Sequence, residues 1–225
     1  MRQLIQSLKD GQVDLVQAPT PLSKDGYVLI STSCSAISSG TEKMLLDFGR
    51  SNLIDKALSQ PDKVADALKK ISTEGLISTV SAINSKLNSP ISLGYSNVGT
   101  VIEKGPDIHD FKIGDRVVSN GNHAEQVLVP RNLCCKIPNS VTDEEASFAV
   151  IGSIGLQGIR MANPSFGERY LVIGLGIIGQ ITIQLLKSNG CEVFALDTNS
   201  QRCDLANQFG VNCLHLNSHI NPIAW

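Results

Sequence analysis

The sequence has no surplus of positive charge. Its 19 lysines and arginines are offset by 21 aspartates and glutamates, so the formal net charge at pH 7 is −2. Proteins that bind nucleic acid or anionic membrane surfaces usually carry a clustered basic patch. We therefore expect neither nucleic acid nor a membrane among the partners of this chain.

Long apolar runs are missing as well. Residues 1–10 contain no apolar signal segment, and no uninterrupted apolar stretch is long enough to cross a bilayer. With 42% hydrophobic residues in 225, the chain can still form a sizeable core, in one large domain or two small ones. A soluble cytoplasmic protein is the expectation.

Paired metal-binding cysteines are also absent. The six cysteines contain no Cys-x-x-Cys motif, and the adjacent pair Cys134-Cys135 would point to opposite faces of a strand. Free thiols in a reducing compartment are the simplest interpretation. The six residues are Cys34, Cys134, Cys135, Cys191, Cys203 and Cys213.

A glycine-rich turn carries the clearest positive signal. An apolar run, Leu171 to Ile173, predicts a buried strand and leads directly into Gly-x-Gly-x-x-Gly. An apolar helical stretch follows, and Asn189-Gly190 ends it. A second apolar strand, Cys191 to Leu196, then ends on Asp197. This order of elements is the dinucleotide-binding fingerprint, although a glycine turn without a ligand is the alternative.

Each residue of the fingerprint has a predicted task. Gly174 would allow the tight turn, Gly176 would let a diphosphate approach the backbone, and Gly179 would let the helix pack closely. Asp197 would bind the adenosine ribose and repel a 2′-phosphate, which favours NAD over NADP, while Arg202 nearby keeps NADP open. The predicted cofactor-binding residues are Gly174, Leu175, Gly176, Ile177, Ile178, Gly179, Asp197, Thr198 and Arg202.

The region before the fingerprint has the pattern of a small β-barrel, because short apolar strands alternate with turn residues. The strands fall in Met1–Val16, Gly26–Ser33 and Pro90–Pro138. Apolar residues at helical spacing between Asn52 and Leu87 predict a helical hairpin, inserted at about residues 50–89. The hairpin could be structural, a lid or a dimer contact.

Two helices connect the barrel region to the fingerprint. Thr142 and Glu145 have the spacing of a capping box, and a second helix is predicted around Ile154 to Ala162. We predict two domains, residues 1–162 and residues 163–225. The second domain would contain strand, helix, strand, helix and strand, about half of a doubly wound parallel sheet, so the chain looks truncated.

These features together resemble the medium-chain dehydrogenase/reductase superfamily, the alcohol-dehydrogenase-like proteins. The resemblance implies an α/β fold in which a GroES-like barrel domain precedes a Rossmann domain, and it covers nearly the whole chain. The long insertion resembles one bacterial branch, often fused to a Gfo/Idh/MocA-type oxidoreductase and associated with sugar metabolism. The motifs are Ser39-Gly40-Thr41-Glu42, Leu93-Gly94-Tyr95-Ser96-Asn97-Val98-Gly99, Gly114-Asp115-Arg116-Val117, Ala124-Glu125-Gln126 and the glycine turn.

The zinc ligands of that superfamily are replaced in this sequence. Zinc-binding members have a cysteine before Gly-Thr-Asp, a His-Glu pair after a glycine, and a further cysteine or histidine. This chain has Ser39, Tyr95-Ser96 and Ser153 at the matching positions, and the four-cysteine lobe is missing. Because a serine hydroxyl is a poor zinc ligand, the resemblance predicts no metal site.

Without zinc, another group must polarise the carbonyl or take the alcohol proton. Tyr95 is the first candidate, since its phenol stands at a former ligand position, although it could equally be a cleft-lining aromatic residue. Ser39 and Thr41 are further catalytic candidates. His123 is a weaker one and has the position of a turn residue.

The resemblance therefore implies a zinc-independent, NAD-dependent oxidoreductase that transfers hydride between nicotinamide and a small alcohol or carbonyl compound, such as a sugar or sugar nucleotide. One alternative is an incomplete, inactive nucleotide-binding fragment. Another is an NADPH-dependent quinone or enoyl reductase. A homo-oligomer or a fusion to a second oxidoreductase domain is a further expectation.

Overall fold

The computed structural model describes residues 1–58, 61, 62, 64–66, 69, 81, 85 and 87–217. The chain divides into two compact units, Met1–Ser147 and Phe148–Trp225. The predicted helical hairpin between Asn52 and Leu87 lies largely outside the described residues, so it stays a prediction. Within the described part of the chain, no helix is both long and apolar enough to cross a membrane.

The first unit is built mainly from antiparallel strands. Five strands form one sheet in the order β7-β3-β5-β6-β8, and three form another in the order β2-β1-β4. The strands are β1 (Arg2–Gln6), β2 (Val13–Gln17), β3 (Tyr27–Ser35), β4 (Ile91–Ser92), β5 (Asn97–Lys104), β6 (Arg116–Ser119), β7 (Gln126–Pro130) and β8 (Cys134–Lys136). The helices are α1 (Ser39–Arg50), α2 (Leu53–Leu58) and α3 (Asp143–Ala146), with a 3₁₀ turn at Arg131–Leu133.

In the larger sheet β7 buries alternate residues, whereas β3, β5 and β6 each bury three consecutive residues, so parts of these strands are covered on both faces. Gly99 on β5 shows how closely the strands approach, because a Cβ there would lie 2.1 Å from the carbonyl oxygen of Ser31 on β3. The strand pattern predicted for this region is thus present, while closure into a barrel stays a prediction. The core comprises Val28, Ile30, Val101, Ile108, Phe111, Val117, Val127 and Val129.

Arg116, of the Gly-Asp-Arg-Val motif, connects β6 of the larger sheet to helix α3 through hydrogen bonds. Its Nε donates to Asp143 Oδ1 at 3.0 Å, and its Nη2 donates to Asp143 Oδ1 and, at 2.9 Å, to the carbonyl oxygen of Val141. The predicted capping box is confirmed, since Thr142 accepts from Glu145 N–H and the Glu145 carboxylate accepts from Thr142 N–H. The motif residue Arg116 therefore has a structural task.

Asp143 should make the stability of the chain depend on pH. Hydrogen bonds from the Ser33 hydroxyl and from the Arg116 guanidinium hold the pKa of Asp143 below its usual value in the folded chain. Such a group stabilises the fold above its unfolded-state pKa, about 3.9, and this contribution is lost as pH falls through the lower folded-state pKa. In urea unfolding, Asp143→Asn should be less stable than the parent chain at pH 7.

At pH 3 this difference should be smaller. Glu144→Gln removes a carboxyl group from the same helix without touching Arg116, so it serves as the control. A stability difference between the parent chain and Asp143→Asn that stays constant from pH 7 to pH 3 would contradict the assignment.

The second unit contains a three-stranded parallel sheet in the order β11-β10-β9, with helices around it. This is the strand order of the first half of a dinucleotide-binding fold. The elements are α4 (Ala149–Ala162), β9 (Arg169–Ile173), α5 (Ile177–Ser188), β10 (Glu192–Asp197), α6 (Ser200–Gln208) and β11 (Asn212–His215). Helix α5 ends where predicted, because Asn189 is its C-cap and Gly190 has a φ of +79°.

Helix α4 belongs with the second unit, whereas the sequence prediction placed it in the first domain. It packs along α5, and a Cβ on Gly155 would lie 2.5 Å from Thr182 Oγ1. Ile159 of α4 is part of the same buried cluster as Leu175 and Ile183. The local pattern of α4 gives no information about its packing partner, so the sequence could not fix this boundary.

The expectation of six free thiols is wrong for two of them. Cys203 on α6 and Cys213 on β11 are joined in a disulfide, with their Cα atoms 5.2 Å apart. Their ten-residue separation gave no metal or disulfide signature, and only the packing of α6 on β11 brings them together. The four free cysteines are Cys34, Cys134, Cys135 and Cys191.

Candidate active site

Two glycines of the fingerprint are required by the protein itself. Gly174 follows β9 with a φ of +90°, a conformation that residues with a side chain rarely adopt. Gly179 lies in the first turn of α5, where a Cβ would be 2.0 Å from the carbonyl oxygen of Gly174. The tight turn and the close helix packing that the sequence predicted are therefore both present.

Gly176 is different, because nothing in the described protein requires a glycine there. Its φ of −65° is open to any residue, and a Cβ on it would have no atom within 4 Å. Gly176 is also the N-cap of α5, and no side chain caps the helix there. The helix thus begins in open space, with unpaired N–H groups and positive dipole at its tip.

Asp197 lies at the end of β10 and is bound to the glycine turn. Its Oδ2 accepts from Leu175 N–H at 2.5 Å, and its Oδ1 accepts from Asn199 N–H at 2.7 Å. Burial acts to raise its pKa, but these backbone hydrogen bonds and Arg202 outweigh burial and lower it. The side chain is only 5% exposed, so Asp197 is a buried carboxylate that links two loops.

The sequence predicted a ribose-binding task for Asp197 and did not anticipate this linking task. The two are compatible, since each carboxylate oxygen can accept more than one hydrogen bond. The Arg202 guanidinium lies 3.8 Å from Asp197 Oδ2 and is half exposed. Thr198 is exposed, and its carbonyl oxygen is 3.0 Å from His215 Nε2. Of the other predicted residues, Leu175 is buried, Ile177 half-buried and Ile178 exposed.

The predicted catalytic residues lie in the first unit. Ser39 and Thr41 are exposed in the first turn of α1. Tyr95 is half-buried in the segment between β4 and β5, directly after Gly94. Among the described residues, no hydrogen-bond partner is found for the Tyr95 hydroxyl, which leaves it able to bind a ligand. Their roles in catalysis stay predictions.

Glu42, His123 and Ser35 form a hydrogen-bonded series that the sequence did not reveal. His123 Nε2 is 3.2 Å from Glu42 Oε2, and His123 Nδ1 is 2.8 Å from Ser35 Oγ. The side chains of His123 and Glu42 are each 10% exposed. Glu42 belongs to the same motif as Ser39 and Thr41, and His123 directly precedes the Ala-Glu-Gln motif. Their separation of 81 residues hid the contact.

The positions at which the resemblance would place zinc ligands are occupied by hydroxyl-bearing residues. Ser153 donates its hydroxyl to the carbonyl oxygen of Val150 in its own helix, at 2.6 Å. Ser39 and Tyr95 offer neutral hydroxyls, which are weak zinc ligands beside thiolate or imidazole. Within the described ranges, no three His, Cys, Asp or Glu side chains are grouped to hold a metal.

Family comparisons agree with the two-part organisation. Residues 70–139 match the alcohol dehydrogenase GroES-like domain, and residues 170–220 match the TrkA-N domain. The chain is 36% identical to D-guloside 3-dehydrogenase of Escherichia coli K12 over 136 residues, which covers 55% of this chain and 37% of that protein. These matches support the medium-chain dehydrogenase/reductase superfamily.

A second curated member of this superfamily is more distant. (R,R)-butanediol dehydrogenase of Bacillus subtilis is 24% identical over 150 residues, which covers 54% of this chain and 43% of that protein. The chain thus spans less than half of the length of both curated relatives.

Solved structures show the same fold along the whole chain. Galactitol-1-phosphate dehydrogenase of Escherichia coli matches with a TM-score of 0.74 at 18% identity, covering 98% of this chain and 62% of that one. A quinone oxidoreductase of Coxiella burnetii matches with a TM-score of 0.71 at 21% identity, covering 100% and 64%. An Escherichia coli CFT073 alcohol dehydrogenase complexed with NADH matches with a TM-score of 0.74 at 17% identity, covering 100% and 64%.

Proposed function

We propose that this chain belongs to a zinc-independent, NAD-dependent oxidoreductase that transfers hydride between nicotinamide and an alcohol or carbonyl group. The observation that carries the proposal is Gly176. The protein needs no glycine at this position, yet a side chain there would project into the space in front of an uncapped helix N-terminus. A diphosphate that must approach the backbone explains both the missing side chain and the missing cap.

NAD is the proposed cofactor in preference to NADP. The lowered pKa keeps Asp197 ionised at neutral pH, and a negative charge at this position repels a 2′-phosphate. Arg202 lies 3.8 Å from this carboxylate, but its side chain is half exposed, so solvent screens its charge and Asp197 keeps most of its repulsion of a 2′-phosphate. One similar solved structure is complexed with NADH and another with NADPH, so these relatives support a nicotinamide cofactor of either kind.

The proposed substrate is a small polyol or sugar derivative. The names of the relatives include a D-guloside, a butanediol and galactitol 1-phosphate, all of which carry secondary alcohols. A bound nicotinamide would supply the hydride acceptor or donor. Tyr95, Ser39 and Thr41 would contact the reacting oxygen, since these three hydroxyls take the place of the zinc-ligand motif or lie beside it.

Cofactor binding tests the proposal directly. Titration of the chain with NADH and NADPH, followed by NADH fluorescence and by calorimetry, should show NADH binding at least about tenfold tighter, which corresponds to about 1.4 kcal/mol. Asp197→Asn should reduce this preference because it removes the charge that repels the phosphate. Equal affinity for the two cofactors would contradict the NAD assignment, and no binding of either would contradict the oxidoreductase assignment.

A nucleotide-binding unit without catalysis is the second candidate, and one observation favours it. On β9, Leu171 and Ile173 are 52% and 77% exposed although both are apolar. Such a face is usually covered by further polypeptide, such as a second copy or the fused oxidoreductase domain of the branch that the sequence resembles. NADH binding without turnover of any secondary alcohol would favour this candidate. Turnover of quinones with NADPH would instead favour a reductase like the Coxiella burnetii relative.

A further inference from the structure

In the first unit the carboxylate of Glu42, the imidazole of His123 and the hydroxyl of Ser35 form a hydrogen-bonded series. Glu42 accepts at one ring nitrogen of His123, with Nε2 lying 3.2 and 3.3 Å from its two carboxylate oxygens. Ser35 lies at the other ring nitrogen, with its Oγ 2.8 Å from Nδ1. Ser35 is the last residue of β3, and it is half-buried.

The carboxylate decides which ring nitrogen carries the proton. A carboxylate only accepts hydrogen bonds, so His123 must donate to Glu42 from Nε2. In the neutral ring Nδ1 is then an acceptor, and the Ser35 hydroxyl donates to it. The serine oxygen keeps lone pairs that can accept a proton from a ligand.

The ring is held from several sides. Gly94, with a φ of +88°, lies so close to it that a Cβ would be 2.6 Å from His123 Cγ. The His123 backbone donates to the Leu93 carbonyl oxygen at 2.8 Å and accepts from Leu4 N–H at 2.9 Å. These contacts fix the His123 backbone between Leu4 and Leu93 and place its ring against Gly94, the residue before Tyr95.

The Glu42 carboxylate is itself fixed in place. Its Oε1 accepts the Ser38 N–H at 2.9 Å, just before the start of α1. Among the described residues, the ring contacts Ser35 of β3, Glu42 of α1 and Gly94. Glu42 is the charged group among these three residues, so a positive ring would be stabilised by one nearby negative charge.

We propose that Ser35, His123 and Glu42 form the proton relay of the reaction, with the Ser35 hydroxyl as the end that meets the substrate. The relay rests on the dehydrogenase function proposed above. In alcohol oxidation the substrate hydroxyl gives its proton to Ser35 Oγ, while the Ser35 proton moves to His123 Nδ1. As the C=O bond forms, the carbinol C–H bond would break and a bound nicotinamide would accept its electron pair as hydride. The protonated ring, paired with Glu42, later releases its proton to solvent.

Kinetics with NAD⁺ and secondary alcohols test the relay. The probes are a methyl D-guloside and (R,R)-butanediol. His123→Ala should lower kcat by about 100-fold, within the usual range for loss of an acid–base group. The KM for NAD⁺ should stay within about twofold, and added imidazole should restore part of the lost kcat by filling the vacated space. Ser35→Ala and Glu42→Gln should each lower kcat by about tenfold or more. His109→Ala, at an exposed histidine, should leave kcat unchanged.

Failure of the proposed relay and failure of the proposed dehydrogenase function give different experimental results. Turnover by the parent chain together with an unchanged kcat in His123→Ala or Ser35→Ala overturns the relay alone. NADH binding without turnover in the parent chain contradicts the dehydrogenase function. In that case the relay is tested by the protonation state of the two His123 ring nitrogens. Histidine ¹⁵N NMR of the full chain near pH 7.5 should show His123 protonated at Nε2 and not at Nδ1.

The ¹⁵N signals of the ring should also respond to its two partners. Ser35→Ala should shift the Nδ1 signal, and Glu42→Gln should shift the Nε2 signal. A proton found on Nδ1, or ring signals that respond to neither substitution, overturns the relay whatever the activity of the chain.

Discussion

Replacing Gly176 by asparagine should leave the stability of the chain unchanged and weaken NADH binding by about 100-fold or more, equivalent to about 2.7 kcal/mol. The stability is expected to stay within about 0.5 kcal/mol because asparagine is as good an N-cap as glycine or better. The φ and ψ of Gly176, −65° and −175°, are open to asparagine, and no atom lies within 4 Å of its new Cβ. Apart from the helix N–H groups that it would cap, only a ligand would meet the added side chain.

The expected loss of affinity comes from the phosphates. An asparagine side chain that caps α5 would pair with the same N–H groups that a diphosphate needs, and its bulk would fill the approach to the helix. Hydrogen bonds to charged groups are worth about 1.5–3 kcal/mol each, so the loss of one or two accounts for a 100-fold effect. Calorimetric titration measures the affinity, and urea unfolding of the same samples measures the stability.

Gly176→Ala supplies the intermediate case, because a single methyl group blocks the approach without capping the helix. It should weaken binding less than asparagine does. NADH binding at parental affinity in both variants would mean that no diphosphate approaches this turn, and the proposed cofactor site would then have to be abandoned.

Local sequence patterns predicted the second unit well, because its key features are local. The turn at Gly174 depends on one backbone conformation, and the packing of Gly179 depends on an atom five residues away. The end of α5 at Asn189-Gly190 depends likewise on neighbours in sequence. A pattern read over ten or twenty residues contains all the information that these features need.

The relay residues could not be predicted in the same way. His123 looked like a turn residue because its partners, Glu42 and Ser35, are 81 and 88 residues away in sequence. Only the pairing of β3 with β7, and the start of α1 just after β3, bring the three together. The unit to which helix α4 belongs and the Cys203–Cys213 disulfide escaped prediction for the same reason, since tertiary packing and not local pattern determines them.

Gly179→Ala should destabilise the chain by about 2 kcal/mol or more, within the usual cost of overpacking. The new Cβ would lie 2.0 Å from the carbonyl oxygen of Gly174, and neither atom belongs to a flexible side chain that could move aside. Helix α5 would have to shift off the glycine turn, which disturbs the Leu175 amide that donates to Asp197. NADH binding should weaken as well, but as a consequence of the lost fold.

The matched control is Gly158→Ala in helix α4, where a Cβ would have no atom within 4 Å. In a helix interior the same substitution usually stabilises by about 0.5–1 kcal/mol, because alanine has the higher helix propensity. The two variants add the same methyl group to helices of the same unit, and urea unfolding should show effects of opposite sign. Equal, small effects would mean that α5 does not pack closely on the glycine turn, and Gly179 would then be no more constrained by the fold than Gly176.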